Sequence, residues 1–320
     1  MEVVSQTKGQ TRKRRNEIDA FTVVATLAAC VAIVFIGSAV LAILLGGIVH
    51  LGEAVTSEEV LFSLRLSFVT STISTIICLV IALPASYAFT HFKLPAKRVI
   101  EVLLELTLSL PYILLGFALL IIFSSPFGKE LKELGFAVVF QPTGIVFAQL
   151  IVNLPFALRM VRTALMQVNP RVEFVAKTLG ATRWEVFRTV ILPLCRNSII
   201  STFVLTWARG MGEFGATLML VGVTRMKTET LPGSIYLSIS SGNTDTAMAT
   251  AIIMLMVSAL TLAISNLLNK SVGSTRVESG RRTGSMRSRK EASAGSMSNR
   301  EEASAGSMSN RKEASAERGF

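Results

Sequence analysis

The decisive stretch of this sequence reads FTVVATLAACVAIVFIGSAVLAILLGGIV, residues 21–49. It contains no charged side chain, and Asp19 and Glu53 bracket it on either side. Because about 20 apolar residues in an α-helix are enough to cross a bilayer, the stretch predicts a transmembrane helix. It is too long and too uniformly apolar for a cleavable signal peptide, and no small-residue cleavage site follows it, so we expect it to remain as an anchor.

The rest of the chain repeats this pattern. Hydrophobic residues make up 51% of the 320 residues and charged residues only 17%, and the mean hydropathy is +0.55. This composition is typical of a membrane protein. Charged residues bracket four further apolar stretches, and one less uniform stretch contains Arg209 and Glu213. The sequence predicts an all-α fold with six transmembrane helices, at residues 21–49, 67–89, 99–123, 138–161, 190–220 and 247–268.

Two tails flank the predicted membrane domain of residues 20–269. Residues 1–19 form a short basic tail, and residues 270–320 contain an 11-residue unit that reads RKEASAGSMSN and then REEASAGSMSN before a truncated copy. The second tail has too few bulky apolar residues to offset the entropy of ordering, so we expect it to be disordered and dispensable. Contact with lipid or with a partner is the alternative.

Basic residues predict the orientation of the spans. They cluster before the first span, after the second, after the fourth and in the second tail, and short loops rich in Lys and Arg stay on the cytoplasmic side. We therefore expect a multi-pass protein of the cell membrane with both termini cytoplasmic. The net charge of +11 is explained by this topology and by contact with anionic membrane lipid, so no nucleic-acid partner is expected.

The sequence lacks the residues that several functional classes require. No G-x4-G-K-[ST] motif is present, so the chain is not expected to bind ATP. The three cysteines are scattered without a CxxC pair, and His50 and His91 lie at the ends of spans. We therefore expect no catalytic site, no metal site and no bound cofactor in this chain.

The long segment after the fourth span, residues 162–188, is mixed in polarity and predicts a folded cytoplasmic element. Two short helices joined at Gly180, which can adopt a positive φ, would form an L-shaped knob. Apolar anchors and a basic rim are available for docking on a partner: Phe174, Leu179 and Trp184, with Arg171, Lys177 and Arg183. The alternative is an amphipathic helix lying on the membrane.

A motif in this segment resembles a known family. VEFVAKTLGATRW at 172–184, followed by ILP at 191–193, is similar to the EAA loop of type I ABC importer permeases, which reads E-A-A, three residues, Gly, about nine residues and I-x-L-P. Two positions depart from the pattern: Phe174 stands where the family has Glu, which here is one residue earlier, and Val175 replaces the first alanine. The resemblance implies that the loop couples the spans to an ATPase subunit through Glu173, Phe174, Ala176, Leu179, Gly180, Trp184 and Pro193.

A second motif narrows the resemblance. RGMGEFGATLMLVG at 209–222, with LP at 110–111 and GFALL at 116–120, resembles the molybdate and tungstate permeases, over about residues 57–268. The resemblance implies a homodimeric translocation subunit, two ATPase subunits that supply the energy, and an extracytoplasmic oxyanion-binding protein. Permeases for sulfate or another oxyanion are the rival within this class. An ion-coupled carrier and a membrane enzyme are rivals from other classes.

Polar residues inside the spans leave two alternatives open. Arg209 and Glu213 are costly in a membrane; at i and i+4 they either form an ion pair that orients the span or contact an anion. Together with Gly212 and Thr217 they are the candidate pathway or gate. Two further polar faces either border a pathway or form interhelical hydrogen bonds: Ser67, Ser71 and Ser74 on the second span, and Gln149 and Asn153 on the fourth.

Overall fold

The structure is a computed structural model that describes residues 20–92 and 95–267. The expectations for the two tails lie outside these residues. Within them every regular element is helical and no strand is present, which confirms the all-α fold. The helices are α1 Ala20–Gly47, α2 Leu51–Thr56, α3 Glu58–His91, α4 Lys97–Ser109, α5 Tyr112–Ser124, α6 Pro126–Glu133, α7 Pro142–Met166, α8 Pro170–Thr178, α9 Arg183–Met211, α10 Gly215–Val221, α11 Leu231–Ser240 and α12 Thr244–Leu267.

Five of these helices are long and apolar enough to cross a bilayer, namely α1, α3, α7, α9 and α12. Counting α4 and α5 as one span gives the predicted six. The prediction of a continuous third span at 99–123 is wrong, because α4 and α5 meet at a bend of 112°. Pro111 lacks an N–H and disfavours helical backbone at the residue before it, and Leu110 is extended with ψ 142°.

The prediction of a continuous fifth span at 190–220 is also wrong. Helix α9 ends at Met211 and α10 begins at Gly215. Glycines at 210 and 212 weaken the helix here, and the Glu213 carboxylate accepts a hydrogen bond from the N–H of Ala216 at 2.8 Å. The acidic side chain therefore caps the start of α10 instead of continuing α9. The sequence also did not predict α2, α6 and α11.

The described residues divide into two compact units, one made of those up to Gln167 with Thr202–Thr261, and the other of Val168–Ser201 with the residues 262–267. In the first unit α3 packs along α7, and α10 packs against α5 and α7. A Cβ atom added at Gly116 of α5 would lie 2.4 Å from the carbonyl oxygen of Ala216 in α10. The backbones of α5 and α10 therefore approach each other closely at Gly116.

Candidate functional site

Gln149 is the polar hub of the first unit. Its Nε2 donates to the carbonyl oxygen of Gly210 at 3.0 Å and to the Ser71 hydroxyl at 3.3 Å, and its Oε1 accepts from the Ser74 hydroxyl at 2.9 Å. Gln149 thus joins α7 to α3 and α9. On α3 the Ser67 hydroxyl accepts from the N–H of Leu231, at 2.8 Å. The interhelical alternative is therefore correct for Gln149 and for the serine face.

Asn153, one turn further along α7, is placed differently. Its Oδ1 accepts from the Nε of Arg209 at 3.3 Å. Its Nδ2 has no hydrogen-bond partner among the described residues, although the side chain is 0% exposed. Because Arg209 has only donors to offer, this contact fixes which end of the amide faces it, and the NH₂ group is left to donate elsewhere.

A cavity of about 350 Å³ opens beside this amide. Its walls come from the start of α5, the middle of α7, the end of α9 and the break before α10, with Tyr112, Val152, Asn153, Arg209, Gly212, Glu213, Phe214 and Gly215 as lining residues. Asn153 lies near the middle of the 25-residue helix α7. At 1.5 Å per residue it is about 17 Å from either end of that helix, near the centre of a bilayer.

Arg209 is held in this cavity by neutral groups. Its Nη2 donates to the Tyr112 hydroxyl at 2.6 Å, and the guanidinium carbon lies 4.6 Å from the ring centre of Phe156, a cation–π arrangement. Within residues 20–92 and 95–267 no carboxylate lies within ion-pair distance of Arg209. Arg209 and Glu213 therefore form no direct salt bridge among the described residues, although both line the same cavity.

The other candidate pathway residues divide. Gly212 and Glu213 line the cavity. Thr217 is buried on α10 and is not among the lining residues, and its hydroxyl has no partner in the part of the chain that the structure describes. Sequence reasoning missed Tyr112, for which the adjoining Leu110-Pro111 pair was the available signal.

The second unit contains the predicted coupling loop. Asn169 caps the start of helix α8: its side chain accepts a hydrogen bond from the N–H of Arg171 at 3.0 Å, and Pro170 is the first residue of the helix. After α8, Gly180 adopts φ +89°, as predicted for the bend. Thr182 and Glu185 then form a capping box at the start of α9. The Thr182 N–H and hydroxyl donate to the Glu185 carboxylate at 2.7 and 2.9 Å.

Only the first of the two predicted short helices is short, because the second continues through the 29 residues of α9. That helix contains a π-helical turn at Val186–Ile191, in which the N–H of Leu192 donates to the carbonyl of Phe187. The next residue, Pro193, has no N–H and its ring would clash with a carbonyl of the preceding turn. The wider turn relieves this conflict, so Pro193 is accommodated inside the helix.

Large apolar side chains around Gly180 are left uncovered. Phe174 is 70% exposed, Leu179 82% and Trp184 63%. Glu173, by contrast, accepts a hydrogen bond from Lys177 at 2.7 Å, and Ala176 is only partly exposed. Among the residues that the structure describes, no atom lies within 4 Å of the position that a Cβ at Gly180 would occupy. The loop thus presents a glycine bend flanked by apolar groups; its coupling role stays a prediction.

Comparisons with known proteins place the chain in a family. Residues 82–274 match the model of the binding-protein-dependent transport system inner membrane component. The sulfate transport system permease protein CysT of Escherichia coli (strain K12) is 28% identical over 223 residues, which are 69% of this chain and 80% of that protein. The molybdenum transport system permease protein ModB of the same strain is 32% identical over 215 residues, 66% of this chain and 92% of that protein.

A solved structure shows the same fold. It is that of a bacterial alginate ABC transporter in complex with an alginate pentasaccharide-bound periplasmic protein. The TM-score is 0.65 at 16% identity, over 79% of this chain and 95% of that one. Since the family model covers more than half of the sequence, the chain belongs to the inner membrane components of binding-protein-dependent transport systems, the permeases of ABC importers, in which separate subunits hydrolyse ATP.

Proposed function

We propose that this permease imports molybdate or tungstate, as a homodimer with two ATPase subunits and an extracytoplasmic oxyanion-binding protein. Two observations support this substrate class. The segment 209–222 resembles the molybdate and tungstate permeases, and the ModB relative is 32% identical to this chain, against 28% for CysT. Sulfate is the second candidate, because CysT is nearly as similar in identity.

The observation that carries the ATP-driven mechanism is the exposed apolar surface around Gly180. Burying a side chain of the size of Phe174 or Leu179 stabilises a complex by roughly 1.5–3 kcal/mol, which favours a docked partner. A helix lying on the membrane would gather its apolar residues along α8, whereas Leu179 and Trp184 lie beyond its end, on either side of the bend. Docking in a groove of an ATPase subunit therefore fits this surface better than membrane contact.

In this mechanism, ATP binding closes the two ATPases and the loop follows their movement. Helix α9 begins in this loop at Arg183 and contains Arg209 near its other end. Closure of the ATPases opens the pathway outward to accept the anion, and hydrolysis returns it to the inward state.

The test is uptake into proteoliposomes that contain the permease, its ATPases and its binding protein. We expect saturable accumulation of molybdate and tungstate that requires ATP and is weakly inhibited by sulfate. Accumulation driven by an ion gradient without the ATPases would identify an ion-coupled carrier. Preferential accumulation of sulfate would identify a sulfate permease. Either result would overturn the proposed substrate or energy source.

The proposed orientation predicts which positions react with an impermeant thiol reagent. In a background without native cysteines, a cysteine at Glu58 or Met226 should be labelled from outside intact cells, and one at Lys177 only after lysis. Met226 is chosen because it is about half exposed, whereas the neighbouring Thr228 is buried. Labelling of the Lys177 position in intact cells would contradict cytoplasmic termini.

A further inference from the structure

We infer that the cavity formed by Tyr112, Asn153 and Arg209 is a binding site for a tetrahedral oxyanion within the permease itself. The cargo would then be held at a defined position between release by the binding protein and entry into the cytoplasm. This site rests on the proposed function, because the oxyanion is the proposed cargo, and the test below separates the two.

The charge of Arg209 points to an anionic ligand. A guanidinium group carries five N–H donors and stays protonated, and the described residues accept hydrogen bonds from only two of its nitrogens. A positive charge within a span is costly unless it is paired, and no carboxylate lies close enough in the described ranges to pair with it. An oxyanion would supply both the missing charge and the missing acceptors.

Two neutral groups add donors at the same place. The Asn153 NH₂ group is buried without a partner in the residues described, a state that is ordinarily destabilising. The Tyr112 hydroxyl accepts from Arg209, so its own proton remains available. Donors from α5, α7 and α9 thus meet in one cavity, an arrangement that suits the oxygens of an oxyanion and would repel a metal cation.

The size and depth of the cavity further limit which anions can bind in it. At about 350 Å³, it has room for a small ion with several waters, each of which occupies about 30 Å³. The position of Asn153, about 17 Å from either end of α7, places the site beyond the reach of a lipid headgroup phosphate. A free oxyanion is therefore the source of this chemistry that the site fits.

Glu213 keeps the site weak. Its carboxylate lines the same cavity but accepts a hydrogen bond from the N–H of Ala216, and among the described residues it forms no direct salt bridge with Arg209. Its negative charge opposes an anion in the cavity. A transport pathway needs binding that is favourable enough for entry and weak enough for release. An arginine without a direct salt bridge attracts the anion, and a carboxylate in the same cavity limits the affinity.

The test is equilibrium dialysis of the assembled importer, in detergent and without the binding protein, against tungstate. We expect one saturable site per permease chain. Asn153→Asp should lower the affinity by about tenfold or more, because the aspartate repels the anion and offers Arg209 an internal partner. Tyr112→Phe keeps the ring and should lower the affinity by about threefold, the loss of one hydrogen bond. Arg159→Gln is the matched control, since Arg159 is exposed on the same helix as Asn153, and it should bind as wild type.

The outcomes separate the site from the proposed function. Asn153→Leu removes the C=O and the NH₂ group of the side-chain amide without adding charge. Thermal unfolding of each variant checks that it folds. A loss of binding in a folded variant supports the site. ATP-driven uptake by wild type without saturable binding, or unchanged binding in Asn153→Asp and Asn153→Leu, would overturn the site and leave the proposed function intact. Saturable binding without ATP-driven uptake would overturn the proposed function alone. Displacement of tungstate by phosphatidylglycerol would assign the site to lipid and overturn the inference.

Discussion

Gly180→Arg is expected to abolish ATP-driven oxyanion uptake while the permease still inserts and assembles with its ATPases. Gly180 has φ +89°, and forcing an L-residue into this left-handed region costs roughly 1–2 kcal/mol. No atom of the described residues lies within 4 Å of the added Cβ, so the new side chain projects outward, to where the partner is proposed to dock. The variant should therefore separate ATPase closure from movement of the spans.

Gly135 offers a matched control for the backbone effect. It has φ +91° and equally open surroundings, but it lies between α6 and α7, in a loop predicted to be extracytoplasmic. Gly135→Arg carries the same strain and the same added charge, and should retain most uptake. The measurements are uptake and the ATPase activity stimulated by loaded binding protein, in reconstituted complexes. Wild-type values of both in assembled Gly180→Arg would exclude the loop as the coupling element.

Gln149→Leu is expected to lower the stability of the permease more than any other single loss of a polar contact in α7. Interhelical hydrogen bonds in membranes average about 0.6 kcal/mol each, and the variant removes three of them, to the Ser71 hydroxyl, the Ser74 hydroxyl and the Gly210 carbonyl. The Ser74 hydroxyl and the Gly210 carbonyl keep only their local partners, the Ser71 carbonyl and the Glu213 N–H. Together we expect about 2 kcal/mol, seen as a Tm about 5 °C lower in detergent.

The control for this loss is Gln167→Leu, at the exposed end of the same helix. Surface substitutions change stability by at most about 0.5 kcal/mol, so its Tm should stay close to that of wild type. Equal Tm values for Gln149→Leu and Gln167→Leu would show that the hydrogen bonds across α3, α7 and α9 contribute little to stability.

The spans themselves were predictable, because charge is excluded from the bilayer and the bracketing residues mark each limit. Their continuity was not. A run of apolar residues indicates that a segment is buried in lipid or protein, but it does not indicate whether the helix axis is straight. The bend at Leu110-Pro111 and the break after Met211 were therefore predicted as uninterrupted helix. In both places the local residues oppose a helix, and the apolar pattern was given more weight than the proline and the glycines.

The candidate site was predictable only in part. Arg209 and Glu213 stand out in the sequence as ionisable residues in a span, yet the partner of Arg209 is Tyr112, 97 residues away, and no local pattern reports such a contact. Gln149 and Asn153 are a similar case. They share one helical face and the same amide chemistry, so the sequence cannot tell their roles apart. Gln149 is structural because the Gly210 carbonyl lies beside it, and Asn153 is a candidate binding residue because the cavity lies beside it.

The π-helical turn at Val186–Ile191 has a consequence for how related chains are compared. Each of its hydrogen bonds spans five residues instead of four, so the turn holds one residue more than an uninterrupted α-helix of the same length. One residue rotates an α-helix by about 100°. A relative that lacks this residue would therefore align with a single gap before Leu192. Its side chains upstream of the gap, including the one that corresponds to Trp184, would lie on a different side of the helix.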